Sequence, residues 1–289
     1  MNSNLICSVA FIVAAMTTSV FASESASSTD KLVSPQKPTN SLFQMTVCGV
    51  DIANPPIFSF SSTDTPENGE YNGVAYEVIN EVATQLGINI LIKRYPWKRC
   101  LAYLKDGSID GVMGASYLKE RSEFGHYPQT DTGDIDYERI IYSSVYWLYS
   151  NDERVVWDGK TLVFPEGGVA GTGLGYSSAK LLRNLGVEVF EAYSPSTLVS
   201  MFMSQELAVI AGYAKQIEPH FEDYRRRVGI NSEPIRKLHI PLAQDHMFLL
   251  VSKQFYRTHK QAAENVWNVL GDIHKNGRYQ AIFNSYLAE

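Results

Sequence analysis

Residues 95–127, YPWKRCLAYLKDGSIDGVMGASYLKERSEFGHY, carry the reading that decides the fold. Trp97 opens a helix just after a proline. Gly107 and Asp110 end that helix and start a short apolar strand, Gly111 to Ala115, and Ser116 and Arg121 follow on the next turn. The unit is strand-helix-strand. Its far edge carries one flat aromatic surface, one hydroxyl and one guanidinium, a set that suits a small ligand bearing a carboxylate.

The same alternation continues outward. Phe43 to Val50 reads as a strand, followed by a loop holding Asp51, Asn54, Pro55 and Pro56. Gly73 precedes an amphipathic helix, Ala75 to Leu86, whose Val78, Val82 and Leu86 recur every four residues. Ile88 to Arg94 is a strand again, and Trp97 to Lys105 the next helix. This order implies a mainly parallel sheet with helices on both faces, in which ligands bind at the carboxyl ends of strands. After a polar loop, Gln129 to Asp136, the apolar run Arg139 to Leu148 leaves this first unit. A second series follows, with a helix Ser177 to Leu185, a strand Val187 to Phe190, a helix Ser196 to Met203 and a strand Leu207 to Ala211. Leu238 to Ser252 then returns as extended chain before closing helices at Thr258 to Gly277 and Arg278 to Leu287. The expected architecture is α/β, two lobes joined by two crossing strands. One lobe takes residues 42–141 and 241–289, the other 142–240, and no repeat of 20 to 50 residues is evident.

Leu5 to Ala22 is uncharged and largely apolar and ends in small residues, which reads as a secretory signal peptide over residues 1–22. The leading MNSN lacks the usual basic residue, and an uncleaved anchor is the competing reading. Cys7 lies at the start of the apolar run, so no lipobox is formed, and a soluble periplasmic product is expected. Residues 23–41, rich in Ser, Thr and Pro, read as a disordered tether. The formal net charge of −6, with no basic stripe, argues against nucleic acid and against an anionic membrane surface. Two of the three cysteines, Cys48 and Cys100, lie beyond the leader. In an oxidising compartment they are either a disulfide tying the first strand to the Trp97 helix or two separate buried thiols. No cofactor is expected: the six histidines form neither HxH nor HExxH, so a metal site is not expected either.

The segment GGVAGTGLGYSSAKLL, residues 167–182, fits neither GxGxxG nor a Walker motif. It does open a helix at Tyr176-Ser177, where free backbone N–H groups and hydroxyls bind anions. Plain N-capping by Ser177 is the alternative.

Taken together, VDIANPPIF (50–58), GVAYEVINEVATQLG (73–87), the PWKRCLAYLKDGSID spacing, ASYLKER (115–121), the GYSS helix start and FLLVSK followed by GDIHKNGRYQAIFNSYL resemble the extracellular solute-binding proteins of family 3, the periplasmic receptors for polar amino acids of ABC importers. The resemblance runs from Leu42 to Glu289. It implies a type II periplasmic-binding-protein fold and a monomeric hinged receptor that closes on its solute and meets an ABC permease or another inner-membrane partner. It further implies that Arg121 pairs with a ligand carboxylate, that Ser116 sits beside it, and that Trp97 walls the pocket. Asp51 and Asn54 would frame the ligand, and Tyr176 and Ser177 would supply the contact from the second lobe.

Two departures stand out from what the resemblance implies. Gly212, in LAVIAGYAK, occupies the place of an Asp that binds the ligand ammonium, and Leu118 the place of a Thr three residues before the arginine. Either Asp51, Glu77 or another carboxylate substitutes, or the solute is a different carboxylate-bearing molecule. A sensory or orphan receptor is a second reading. A dehydratase of the cyclohexadienyl type on the same fold is a third, with Glu77, Glu166 and His239 as its candidate acids and bases. The chain's end at Glu289 makes a free-standing receptor the expectation, rather than one fused to a kinase or transglycosylase.

Overall fold

The computed structural model describes residues 43–60, 71–229 and 235–287. The expected signal peptide and tether lie outside the described residues. In chain order the first elements are β1 (Gln44–Val50), α1 (Val74–Leu86), β2 (Asn89–Tyr95), α2 (Trp97–Asp106), β3 (Gly111–Ser116), a 3-10 turn (Lys119–Glu123), β4 (Gly125–His126) and β5 (Tyr142–Ser150). They are followed by β6 (Val156–Trp157), β7 (Leu162–Val163), β8 (Val169–Gly173), α3 (Ser177–Asn184), β9 (Glu188–Ala192), α4 (Pro195–Met203) and β10 (Val209–Tyr213). The chain closes with α5 (Ala214–Val228), β11 (Arg236–Lys237), β12 (Ala243–Ser252), α6 (Lys253–Lys275) and α7 (Arg278–Ser285).

The main sheet runs β2-β1-β3-β12-β5-β10-β8-β9. β1 pairs in parallel with β2 and β3, and β8 pairs in parallel with β10 and β9. Between these two parallel blocks lie two antiparallel strands. β12 pairs with β3 on one side and β5 on the other, and β5 pairs with β10. The sheet is therefore two parallel units spliced through β5 and β12, the two long extended runs of the sequence.

Each block buries apolar faces under its own helices. Met45, Val47, Val78, Ile79, Leu249 and Trp267 pack together with α1 and α6 on one face of the first block. Trp97, Cys100, Leu104, Val112 and Phe248 pack with α2 on the other. The second block repeats the arrangement, with Leu148, Ala170, Leu182 and Val209 on one side and Leu198, Phe202, Ile210 and Phe221 on the other. Cys48 on β1 and Cys100 on α2 are joined by a disulfide, their Cα atoms 5.7 Å apart. Both are fully buried, so the bond lies inside the core that carries Trp97.

The sequence reading leaves 214–228 unassigned, and Pro219 stands within it. The structure makes it α5, with Gln216, Ile217 and Phe221 buried, so packing of that face outweighs the hydrogen bond proline removes. The expected start at Thr258 falls at a kink rather than an end. His259 has non-helical backbone angles, and the helix begins earlier, at Lys253, where the Ser252 hydroxyl accepts from the Phe255 N–H.

Candidate functional site

The carboxyl ends of β1, β3, β8 and β10 converge on one cleft, and the side chains that reach it come from the segments just beyond those ends. Pro96, extended in the N-cap position, sets Trp97 at the first turn of α2. The 3-10 turn after β3 carries Arg121 inward, where it is only 4% exposed although Glu120 and Glu123 flank it. The Arg121 backbone N–H donates to the Leu118 carbonyl at 2.9 Å, which fixes the turn.

Arg121 is a buried cation whose hydrogen-bond partners are neutral. Nη1 donates to the Ser116 carbonyl at 2.7 Å and to Ser116 Oγ at 3.2 Å, and Nη2 donates to the Gly175 carbonyl at 3.0 Å. Among the described residues no carboxylate lies within ion-pair distance of it. The Ser116 carbonyl also accepts from the buried Tyr127 hydroxyl at 2.8 Å, which braces it against the guanidinium. The Trp97 ring lies 5.3 Å from the Arg121 guanidinium carbon, and its Nε1 donates to the same Gly175 carbonyl at 3.0 Å. Gly175 belongs to the β8–α3 junction and has φ +76°, a left-handed conformation; a Cβ there would lie 2.7 Å from Lys98 Cε. Its N–H donates to Glu191 Oε2 at 2.6 Å, and Arg183 pairs with the other oxygen of Glu191 at 2.7 Å. Burial opposes ionisation of Glu191, yet Arg183 and the Gly175 N–H hold its carboxyl below the usual glutamate range.

A small inner cavity of about 30 Å³ lies beside Arg121, room for about one water molecule. Asn54, Trp97, Ser116, Arg121, Tyr176 and Ser177, all singled out from the sequence, line it. Asp51 does not: it lines a second chamber of about 460 Å³ just outside. Its N–H donates to the Tyr95 carbonyl at 3.2 Å, and burial holds its carboxyl above the usual aspartate range. Trp97, Tyr176 and Gln216 line both spaces and form the passage between them.

Ser177 does not cap its helix. Tyr176 occupies the cap position, and the Ser177 hydroxyl donates instead to Asp245 Oδ2 at 2.7 Å, tying α3 to the long strand β12. Four polar lining residues have no counterpart in the sequence reading. Tyr142 and Tyr146 come from β5, Tyr213 from the end of β10 and Gln216 from the first turn of α5. The Tyr146 and Tyr213 rings stack at 4.3 Å, and Tyr176 lies 5.9 Å from Tyr213. Burial pushes the Tyr146 hydroxyl up to about 12 and those of Tyr142, Tyr176 and Tyr213 upward as well, so these rings present neutral O–H groups.

The three candidate acid-base residues do not gather here. Glu77 is exposed on α1 and accepts from the Tyr286 hydroxyl at 2.7 Å, and neither Glu166 nor His239 lines the cleft. Among the described residues no group of His, Cys, Asp or Glu could hold a metal ion, and no helix is long and apolar enough to cross a membrane.

The fold recurs in solved structures of low sequence identity. The substrate-binding protein of an amino acid ABC transporter superposes with a TM-score of 0.60 at 15% identity, over 85% of this chain and 100% of that one. A histidine kinase sensor domain with similarity to periplasmic binding proteins does so with a TM-score of 0.60 at 16% identity, over 84% and 96%. An ancestral amino acid-binding protein described as a precursor of cyclohexadienyl dehydratase gives 0.57 at 15%, over 84% and 95%. Comparison with curated protein sequences returned no match. The mixed α/β architecture is thus that of type II periplasmic binding proteins. Residues 47–289 match the sequence profile of the bacterial extracellular solute-binding proteins, family 3, and the chain belongs to that family.

Proposed function

We propose that the protein is a periplasmic receptor whose two lobes, residues 42–141 with 241–289 and residues 142–240, close on a small carboxylate-bearing solute for ABC-type import. One observation carries the reading: Arg121 is buried at the base of the cleft and hydrogen-bonds only to carbonyls and a hydroxyl. An ionised group so placed is costly unless an anion joins it, and a guanidinium fits a carboxylate with two parallel N–H donors. Ser116 stands beside that position, and Trp97 and Tyr176 wall it from opposite sides.

We read the protein as a binder rather than a catalyst, because the inner lining offers neither carboxylate nor imidazole to move a proton. A sensory role is the second reading, and the likeness to a kinase sensor domain favours it. Both uses share lobe closure, in which the ligand selects the closed state.

The test is thermal unfolding of the exported protein against a millimolar panel of amino acids, other carboxylates and short peptides, repeated with Arg121→Ala. A ligand at about 100 times its Kd adds about 2.7 kcal/mol, a shift of roughly 5 to 10 °C for a chain of this length. A shift that Arg121→Ala removes supports the reading. A shift that survives the substitution places the site elsewhere.

A further inference from the structure

We infer that the solute is a monocarboxylate with an apolar body and no amine. The inference rests on the carboxylate-receptor reading above and deepens it. Among the described residues Arg121 is the only ionised side chain lining the inner cavity; the other polar groups there are hydroxyls, the Trp97 indole N–H and the amides of Asn54 and Gln216. A ligand ammonium placed beside the carboxylate would therefore be buried a short distance from a guanidinium with no anion of its own. That arrangement is disfavoured by desolvation and like-charge repulsion.

Two of the acids around the cleft are already engaged, and a third stands outside the inner cavity. Asp245 lies outside the lining and accepts the Ser177 hydroxyl at 2.7 Å. Glu191 is held by the Gly175 N–H and by Arg183. Asp51 reaches only the outer chamber, whose lining also carries the cations Lys98 and Arg99. Both spaces together thus present three cationic side chains and one acid, in a chain whose net charge is −6. The cleft favours a ligand of net negative charge.

The outer chamber says what the rest of the ligand is. Its walls are largely apolar, among them Ile52, Leu174, Leu198, Ala211 and Ile217, around about 460 Å³. Where β10 faces that space, Gly212 offers bare backbone, and a Cβ added to it would lie 2.5 Å from Ile217 Cγ1. The volume a side chain at position 212 would need is therefore filled by hydrocarbon. A carboxylate on Arg121 would direct its body past Trp97 and Tyr176 into this chamber, where burial of its apolar surface favours binding.

Matched pairs test the inference: phenylalanine with hydrocinnamate, leucine with isocaproate, and tryptophan with indolepropionate, each acid also supplied as its primary amide. Binding to the exported protein is read by thermal shift and calorimetric titration. The expected result is binding of the deaminated acids at least about 100-fold tighter than their amino partners, no binding of the amides, and loss of the acid's binding in Arg121→Ala. Binding confined to the amino acids overturns the inference and leaves the carboxylate receptor standing. Amides binding as well as acids, or no shift in either series, removes the carboxylate reading and the inference with it. The double variant Gly212→Asp/Ile217→Ala, which puts an acid where the apolar wall stands, should gain at least about tenfold for phenylalanine. No gain in a folded double variant overturns the role given to that wall.

Discussion

Arg121 Nη2 donates to the Gly175 carbonyl at 3.0 Å, so the guanidinium from the turn after β3 is latched to the start of α3 on the far side of the cleft. Trp97 Nε1 donates to the same oxygen. One main-chain carbonyl therefore holds together the two groups that an incoming carboxylate would meet. A carboxylate bound to Arg121 would compete with it for Nη2, beside an inner cavity of about 30 Å³.

Replacing Gly175 by alanine should loosen the latch. Its φ of +76° disfavours any Cβ, and the Lys98 side chain stands in the way. The left-handed conformation alone costs about 1 to 2 kcal/mol, a Tm drop of roughly 2 to 8 °C by calorimetry. Adding Lys98→Ala should recover only the steric part. Full recovery would show that the backbone angle carries no strain.

Glu191→Gln should weaken the protein at neutral pH by about 1 to 2 kcal/mol, since it removes a charged acceptor from the Gly175 N–H and from Arg183. The folded-state carboxyl is held below its unfolded value, so its contribution is present above the unfolded value of about 4.3 and is lost as pH falls through the lower folded one. Urea midpoints measured against pH should therefore drop less steeply below about pH 4.3 in the variant than in the parent. Parallel curves would remove the assignment.

Severing the Cys48–Cys100 bond should be among the larger single losses. The bond closes a loop with a sequence separation of 52, and constraint of the unfolded chain then contributes about 4 kcal/mol. The Cys48→Ala/Cys100→Ala pair should melt roughly 8 to 16 °C below the oxidised parent. Reductant should lower the parent's melting temperature and leave the double variant unchanged.

By contrast, the Lys180–Glu120 ion pair, which also bridges the cleft, joins side chains 42% and 59% exposed. Glu120→Gln should leave stability nearly unchanged, and 0.5 M salt should erase any difference. Trp97→Phe, which removes the buried N–H donor to Gly175 and part of the ring packed in that core, should cost more than the surface pair. The reverse order, measured by denaturant titration, would contradict the latch.

Much of the cleft was legible because its chemistry sits on short local signals. A proline before Trp97, a strand end before Ser116 and an apolar-to-charged switch before Arg121 are all readable in one window. Tyr142 and Tyr146 were hidden because an aromatic on a long apolar strand reads as core, which these residues also are. Gln216 was hidden behind Pro219, which obscured the helix that carries it. Gly175 could not be found from side-chain chemistry at all, since it acts through its carbonyl and N–H. Ser177 was placed correctly at a helix start, yet its hydroxyl turns to Asp245, a partner 68 residues away. The loop that carries Asp51 is readable locally, but which of two adjoining spaces the residue lines depends on Lys98, Arg99 and the distant β8–α3 junction.

The packing of Ile217 against Gly212 has an evolutionary side. An acid at position 212 alone overpacks a full site, at a cost of about 1 to 3 kcal/mol. A smaller residue at position 217 alone leaves a hole, at about 2 to 5 kcal/mol. Either step alone therefore costs stability before the second can restore it. Under the proposed ligand preference, a corner filled with hydrocarbon is separated by two coupled substitutions from one that holds an acid for an amine, so single changes would sooner move such a receptor among carboxylates than toward amino acids.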